Sequence, residues 1–315
     1  MEKYFNLIDG KAIAPSSGEY FQNINPADRN DIIGLFPKSS RTDIDDAVKA
    51  ALKAFPLWSD MTPPKRGELI FKAAEALKIN QEQLAKVIVR EMGKTMAESM
   101  GDIQSSIDAA NFMAGEGRRM YGQTTSSSLF RRWAITKRVP VGVCGLITAW
   151  NAPMAIITWK LFPALICGNT VVIKPSEDTP MTAYLLGELL KSVGFPDGVV
   201  NIVHGIGSET GETLVKHPEV RLVSLTGSTR AGKLISEECG RQLKKCSLEL
   251  GGKNALIVMD DADLESASKA VAAGAFSTAG QRCASTSRVF VHEAVYGSFV
   301  DRLVDETRKM KIGAG

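Results

Sequence analysis

The chain has 315 residues, about twice the usual length of one domain, which excludes a peptide-sized module and favours two domains with full cores. Hydrophobic residues make up 44% and charged residues 23%, which excludes a disordered or fibrous chain, and no run reaches the ~18 apolar residues of a membrane helix. The 38 basic and 35 acidic residues are interleaved, so there is no basic footprint for nucleic acid. The first residues, Met1 to Asn6, are too polar for the apolar core of a signal peptide, and a cytoplasmic protein is expected. Residues 5 to 40 have hairpin character, with turn signals at Ile8-Asp9-Gly10-Lys11 and Asn25-Pro26-Ala27-Asp28. Four amphipathic helices follow. Thr42 as N-cap with Asp45 three residues on opens the first, which carries Ile44, Ala47, Val48, Ala51, Leu52 and Phe55. Leu69, Ile70, Ala73, Ala74 and Leu77 mark the second; Leu84, Val87, Ile88 and Glu91 begin the third, and Ile103 and Ile107 lie in the fourth. These stripes read as core. Residues 124 to 142, Ser/Thr-rich and then basic and β-prone, read either as a surface loop or as an exposed hairpin that pairs with something.

From residue 143 short apolar runs alternate with helical segments. Val143 to Ala149, Thr170 to Ile173, Val199 to Val203, Arg221 to Leu225, Ala255 to Met259 and Ser287 to Val291 read as strands. Thr179-Pro180 reads as an N-cap and first helical residue, and Gly194 as the stop of that helix. This alternation predicts an α/β fold with a doubly wound parallel sheet, whose ligands bind beyond the carboxyl ends of the strands.

The residues at those ends are the candidates for chemistry. Trp150-Asn151-Ala152-Pro153 follows the first strand. Lys174-Pro175-Ser176-Glu177 follows the second, either a donor and acceptor pair for a sugar hydroxyl or a solvated loop. His204 to Gly211 resembles a dinucleotide fingerprint with an extra residue before its last glycine, which is a weak signal. Thr226-Gly227-Ser228-Thr229-Arg230-Ala231-Gly232 opens a helix with glycine and hydroxyl residues, a natural seat for pyrophosphate. Glu249 lies among apolar neighbours before Gly251-Gly252. Cys283 sits in the turn Gly280-Gln281-Arg282-Cys283-Ala284-Ser285. Taken alone, Glu249 reads as a salt-bridged carboxylate and Cys283 as an inert thiol. Cys144, Cys167, Cys239 and Cys246 are scattered, no C-x-x-C pair occurs and there are three His, so neither a disulfide framework nor a metal site is expected.

Together and in order, W-N-x-P at Trp150, K-P-x-E at Lys174, G-S-T at Gly227, L-E-L-G-G-K at Leu248 and G-Q-x-C at Gly280 resemble the aldehyde dehydrogenase superfamily. The 34 positions from Glu249 to Cys283 fit it too, and the similarity runs from the N-terminal hairpin to residue 315. The resemblance implies a Rossmann-like NAD-binding domain over residues 1–123 and 143–251, an oligomerisation arm over 124–142, and the start of a second α/β catalytic domain over 252–315. It implies Cys283 as nucleophile, the Asn151 amide and the Cys283 N–H as oxyanion donors, and Glu249 as general base for thioester hydrolysis. Lys174 and Glu177 resemble the pair that binds the adenosine ribose, and the turn from Gly227 and Ser228 to Gly232 the pyrophosphate seat. Trp150 and Thr226 line the path toward nicotinamide. Glu177 favours NAD, since it would repel a 2′-phosphate; NADP is the second choice and no metal is implied. The implied partners are a small aldehyde, in particular a semialdehyde, and further copies of the chain in a homodimer or homotetramer, with neither nucleic acid nor membrane.

Chains of this family continue beyond the position of Lys311-Ile312-Gly313-Ala314-Gly315, so the resemblance covers an N-terminal portion. Two classes of function follow. One is an NAD(P)-dependent oxidoreductase that converts an aldehyde to the acid through a cysteine thiohemiacetal and thioester. The other is a truncated, catalytically impaired dinucleotide-binding protein. A CoA-acylating aldehyde dehydrogenase is a third reading, against which Glu249 speaks, because a hydrolytic base would waste the thioester.

Overall fold

The structure, a computed structural model, describes residues 1–315. Two hairpins open the chain: β1 (Asn6–Ile8) with β2 (Lys11–Ile13), and β3 (Tyr20–Ile24) with β4 (Ile32–Pro37), both antiparallel. Four helices follow, α1 (Arg41–Asp60), α2 (Pro63–Ile79), α3 (Gln81–Met92) and α4 (Met96–Glu116). The first starts ahead of the expected Thr42. Its cap is Ser40, because Asp43 three residues on reaches back to the Ser40 N–H at 2.7 Å, closing a capping box that Thr42 and Asp45 do not form. The basic segment forms an exposed hairpin, β5 (Thr124–Ser126) with β6 (Trp133–Ile135), the second of its two readings.

The remaining chain alternates. β7 (Val143–Ile147), α5 (Pro153–Ile166), β8 (Thr170–Lys174), α6 (Pro180–Ser192), β9 (Val200–Ile202), α7 (Glu212–Lys216), β10 (Val220–Thr226), α8 (Thr229–Arg241) and β11 (Lys245–Glu249) build a seven-stranded sheet with β1 and β2. Its order is β11-β10-β7-β8-β9-β1-β2. The strands from β11 to β9 are mutually parallel and only the N-terminal hairpin is antiparallel, so the doubly wound expectation holds. Strand alternation sorts the apolar run. Cys144, Leu146, Val171 and Ile173 face α2 to α6, while Val143, Ile147 and Val172 face α1 and α7. Both faces are covered, which is why these strands read as unbroken apolar stretches. β11 was not expected as a strand: Lys-Cys-Ser-Leu-Glu is mostly exposed at the sheet edge and lacks that signature.

A smaller unit follows, with β12 (Asn254–Val258) parallel to β13 (Thr286–Val291), joined by α9 (Leu264–Phe276) and followed by α10 (Tyr296–Arg308). Val258, Val271 and Phe299 form its core, and its outer face leaves Ile257 68% exposed. No helix is long and apolar enough to cross a membrane.

The start of α6 departs from the expected cap. Thr179 makes no side-chain cap bond; the buried Glu91 of α3 instead accepts from the Met181 N–H, the Thr182 N–H and the Thr182 hydroxyl. Gly194 does sit just past that helix in the left-handed region, φ 94°. Burial outweighs the three hydrogen bonds and pushes the Glu91 carboxyl up to about 7. The folded chain therefore keeps a proton that the unfolded chain releases, and this group's share of stability falls as pH rises from about 4.5 to about 7, by roughly 3 kcal/mol. Glu91→Gln should flatten that part of the profile, read as urea midpoints measured between pH 4.5 and 8.

Candidate active site

The strand order reverses beside β7. The chain runs from β7 through β8 to β9 on one side, then returns to lay β10 and β11 on the other. A crevice therefore opens between the carboxyl ends of β7 and β10, the place where such sheets receive ligands. Trp150 and Asn151 follow β7 on one side, and on the neighbouring strand Thr226 ends β10 and Gly227 follows it.

Ser228 caps α8 with its own hydroxyl, which accepts from the Ala231 N–H at 3.1 Å and leaves the Thr229 and Arg230 N–H groups without a partner inside the helix, just past the end of β10. Gly232 lies one turn on and is buried. A Cβ there would meet Leu250 at 2.6 Å, so this glycine lets the chain after Glu249 approach the helix closely. Lys174 is 2% exposed and bonds Glu177 at 2.6 Å. Burial pushes the Lys174 ammonium down against the pull of Glu177. Burial pushes the Glu177 carboxyl up, but Lys174 and the Gly207 N–H at 3.2 Å outweigh it and hold it below the usual carboxylate range. The glycine loop after β9 thus contributes a backbone donor to the Glu177 carboxylate. His204 in that loop is fully buried with both ring nitrogens unpartnered, and burial, then Lys174, hold it down to about 3, neutral at ordinary pH.

Glu249 ends β11 in register with Thr226, and its carbonyl accepts from the Gly227 N–H at 3.0 Å. Cys283 stands exposed in the loop before β13, and its carbonyl accepts from the Asn254 side chain at 2.6 Å. That loop is unusual. Thr278 (φ 56°), Ala279 (φ 54°) and Gly280 (φ 72°) are successively left-handed, and a β-branched residue there is held against its own preference. Gln281 ties the loop to the end of β7: its side-chain oxygen accepts from the Trp150 indole at 2.6 Å and its carbonyl from the Asn151 amide at 2.7 Å. The structure thus gathers Trp150, Asn151 and the Cys283 loop directly, sets Glu249 beside Thr226 and Gly227, and keeps Lys174 and Glu177 at the end of the next strand, β8, on the far side of β7 from β10. The Asn151 amide spends one of its two N–H bonds on Gln281 and keeps the other.

Sequence reasoning passed over Lys160. It is the one charged residue in α5, an apolar helix, and that isolation was a usable signal. Its ammonium bonds the Ser224 hydroxyl at 2.9 Å. Burial pushes it down to about 8, opposed by the Glu249 charge. It also passed over two acids of α4, Glu98 and Asp102, whose bonds reach the Cys283 loop and the start of α5.

The aldehyde dehydrogenase family model matches residues 13–315, and the chain belongs to that family. It is 41% identical to the alpha-ketoglutaric semialdehyde dehydrogenase of Bacillus subtilis, over 98% of this chain and 64% of that protein. It is 36% identical to the D-glyceraldehyde dehydrogenase (NADP(+)) of Picrophilus torridus, over 97% of this chain and 62% of that one. An NAD-dependent aldehyde dehydrogenase from Sinorhizobium meliloti superposes with a TM-score of 0.96 at 39% identity, over 99% of this chain and 63% of that structure. The chain thus spans less than two thirds of the length of each of these relatives.

The site geometry divides the cysteines. Cys283 and Cys246 are exposed, whereas Cys144 and Cys239 are buried, and burial pushes the Cys144 thiol up to about 12. Iodoacetamide at pH 8 should label Cys283 and Cys246 in the folded protein and reach Cys144 and Cys239 only after unfolding, as read by peptide mass spectrometry.

Proposed function

We propose that this chain carries the cofactor site, the nucleophile and the general base of an NAD(P)-dependent aldehyde dehydrogenase that converts a semialdehyde to the acid. The observation that carries the reading is the pair of bonds from Trp150 and Asn151 to Gln281, which brings an amide donor within two residues of an exposed thiol.

In this reading the Cys283 thiolate attacks the aldehyde carbon and forms a thiohemiacetal. The free N–H of the Asn151 amide and the Cys283 backbone N–H hold the developing oxyanion, and losing one such donor costs about 2.7 to 4 kcal/mol of transition-state stabilisation. NAD, when bound, supplies the acceptor for the hydride that leaves that carbon. Glu249 then takes a proton from the water that attacks the Cys283 thioester, releasing the acid and restoring the thiol.

The residues present fit a dinucleotide. The crevice at the strand-order reversal, the open first turn of α8 behind Ser228 and the charged Glu177 offer seats for nicotinamide, pyrophosphate and ribose in that order. Glu177 would accept from the ribose hydroxyls and repel a 2′-phosphate, which supports NAD over NADP, while the Lys174 ammonium paired with it softens that preference. A carboxylate-bearing semialdehyde is supported by the B. subtilis relative. We read residues 1–123 and 143–251 as the NAD-binding domain and 252–315 as the first part of the catalytic domain. The hairpin at 124–142 is read as a subunit arm, supported by Phe130 and Trp133 standing 86% and 74% exposed on it.

NADH formation from a short semialdehyde tests the reading. Cys283→Ala should abolish it, and Glu249→Gln should slow steady-state turnover far more than the first round of NADH release. Equal loss in both phases would take the base role from Glu249, and full turnover by Cys283→Ala would remove the nucleophile.

A further inference from the structure

The N-terminal turns of α4 carry two carboxylates four residues apart, Glu98 and Asp102, each bonded to a distant backbone N–H. Asp102 is buried. One of its oxygens pairs with the buried Lys94 at 2.8 Å and the other accepts from the Ala155 N–H at 2.7 Å. Ala155 is in the first turn of α5, whose own cap residue, Ala152, has no side-chain acceptor, and Asn151 is the residue before it. Glu98 divides its oxygens in the same way. One serves the capping box of its own helix, accepting from the Thr95 N–H at 3.3 Å and the Thr95 hydroxyl at 3.2 Å. The other accepts from the Thr278 N–H at 2.7 Å, across 180 positions of sequence.

Thr278 is the first of the three left-handed residues leading to Gln281, and Gln281 is bonded by Trp150 and Asn151. The bonds therefore close a ring: from α4 through Asp102 to the start of α5, through Asn151 to Gln281, back along the strained turn to Thr278, and through Glu98 to α4. Cys283 lies two residues outside this ring. A left-handed β-branched residue persists only where its surroundings over-determine it, and the bond from the Thr278 N–H to the Glu98 carboxylate is such a constraint.

We propose that Glu98 is a positioning residue that, with Asp102 as the second arm, fixes the turn bearing Cys283 against the Asn151 amide. The effect on turnover rests on the reading of Cys283 as nucleophile; the effect on the loop does not.

The test compares Glu98→Ala, Glu98→Gln and Thr95→Ala. Thr95→Ala removes the hydroxyl half of the same capping box and leaves the Glu98 oxygen that accepts from Thr278 in place, so it reports what losing the helix cap and the hydroxyl contact to the other Glu98 oxygen is worth. Hydrogen exchange of the peptide covering residues 277–285 should rise about tenfold or more in Glu98→Ala, return most of the way in Glu98→Gln, which keeps an oxygen acceptor, and stay unchanged in Thr95→Ala. In the same variants, kcat for semialdehyde oxidation should fall about tenfold in Glu98→Ala with the KM for NAD within twofold, and recover in Glu98→Gln. Unchanged exchange in Glu98→Ala, or equal loosening by Thr95→Ala, would overturn the proposal. Looser exchange with undiminished turnover would leave the loop contact standing and overturn the catalytic part.

Discussion

A helix that begins at the edge of a parallel sheet arrives with its first N–H groups unpaired, and where that edge is buried something must accept from them. This constraint organises the molecule. At α8 the local sequence meets it, since Ser228 caps its own helix and the turn stays open. At α5 and α6 it does not, because Ala152 has no acceptor and Thr179 does not use the one it has. There the acceptors are Asp102 and Glu91, sent in from α4 and α3. A buried carboxylate aimed at helix N–H groups cannot slip sideways without stranding both partners, so the helical layer is pinned to the sheet at two points. The self-capped start of α8 follows β10 and the carboxylate-sealed start of α5 follows β7, one on each side of the crevice.

The same pinning sets the character of the site. The residues proposed for chemistry lie on connections after strands, and hydrogen bonds from polar side chains hold those connections. Gln281, on the surface, joins the end of one strand to the Cys283 loop, and Glu98 holds that loop from the other side. Lys160, in an otherwise apolar helix, places a cation within electrostatic reach of Glu249, a carboxylate that is itself solvent-exposed.

Much of this was legible in the residues. β7 to β10 announce themselves because both of their faces are covered, and the contiguous motifs around Trp150, Lys174, Gly227, Leu248 and Gly280 mark the strand ends. What stayed hidden shares one cause. β11 is an edge strand with polar, exposed residues, so its pairing with β10 leaves no hydrophobic signature. The hairpin at 124–135 has three residues per strand and both faces exposed, too little pattern to separate strand from loop. The bond from Asn151 to Gln281 spans 130 positions. Glu98 is instructive because its local role, the third residue of a capping box, is legible, and that role conceals the oxygen spent elsewhere.

Leu250 to Lys253, the short connection from β11 to β12, now takes on a mechanical meaning. Glu249 belongs to the edge of the large sheet and Cys283 to the loop of the small one, and four residues, two of them glycine, join these sheets at this point. A rotation of one sheet against the other would change the Glu249 to Cys283 separation, and the bonds from Trp150 and Asn151 to Gln281 and from Thr278 to Glu98 are what resist it. The spacing between proposed base and nucleophile is a property of how two bodies sit together, which neither body fixes alone.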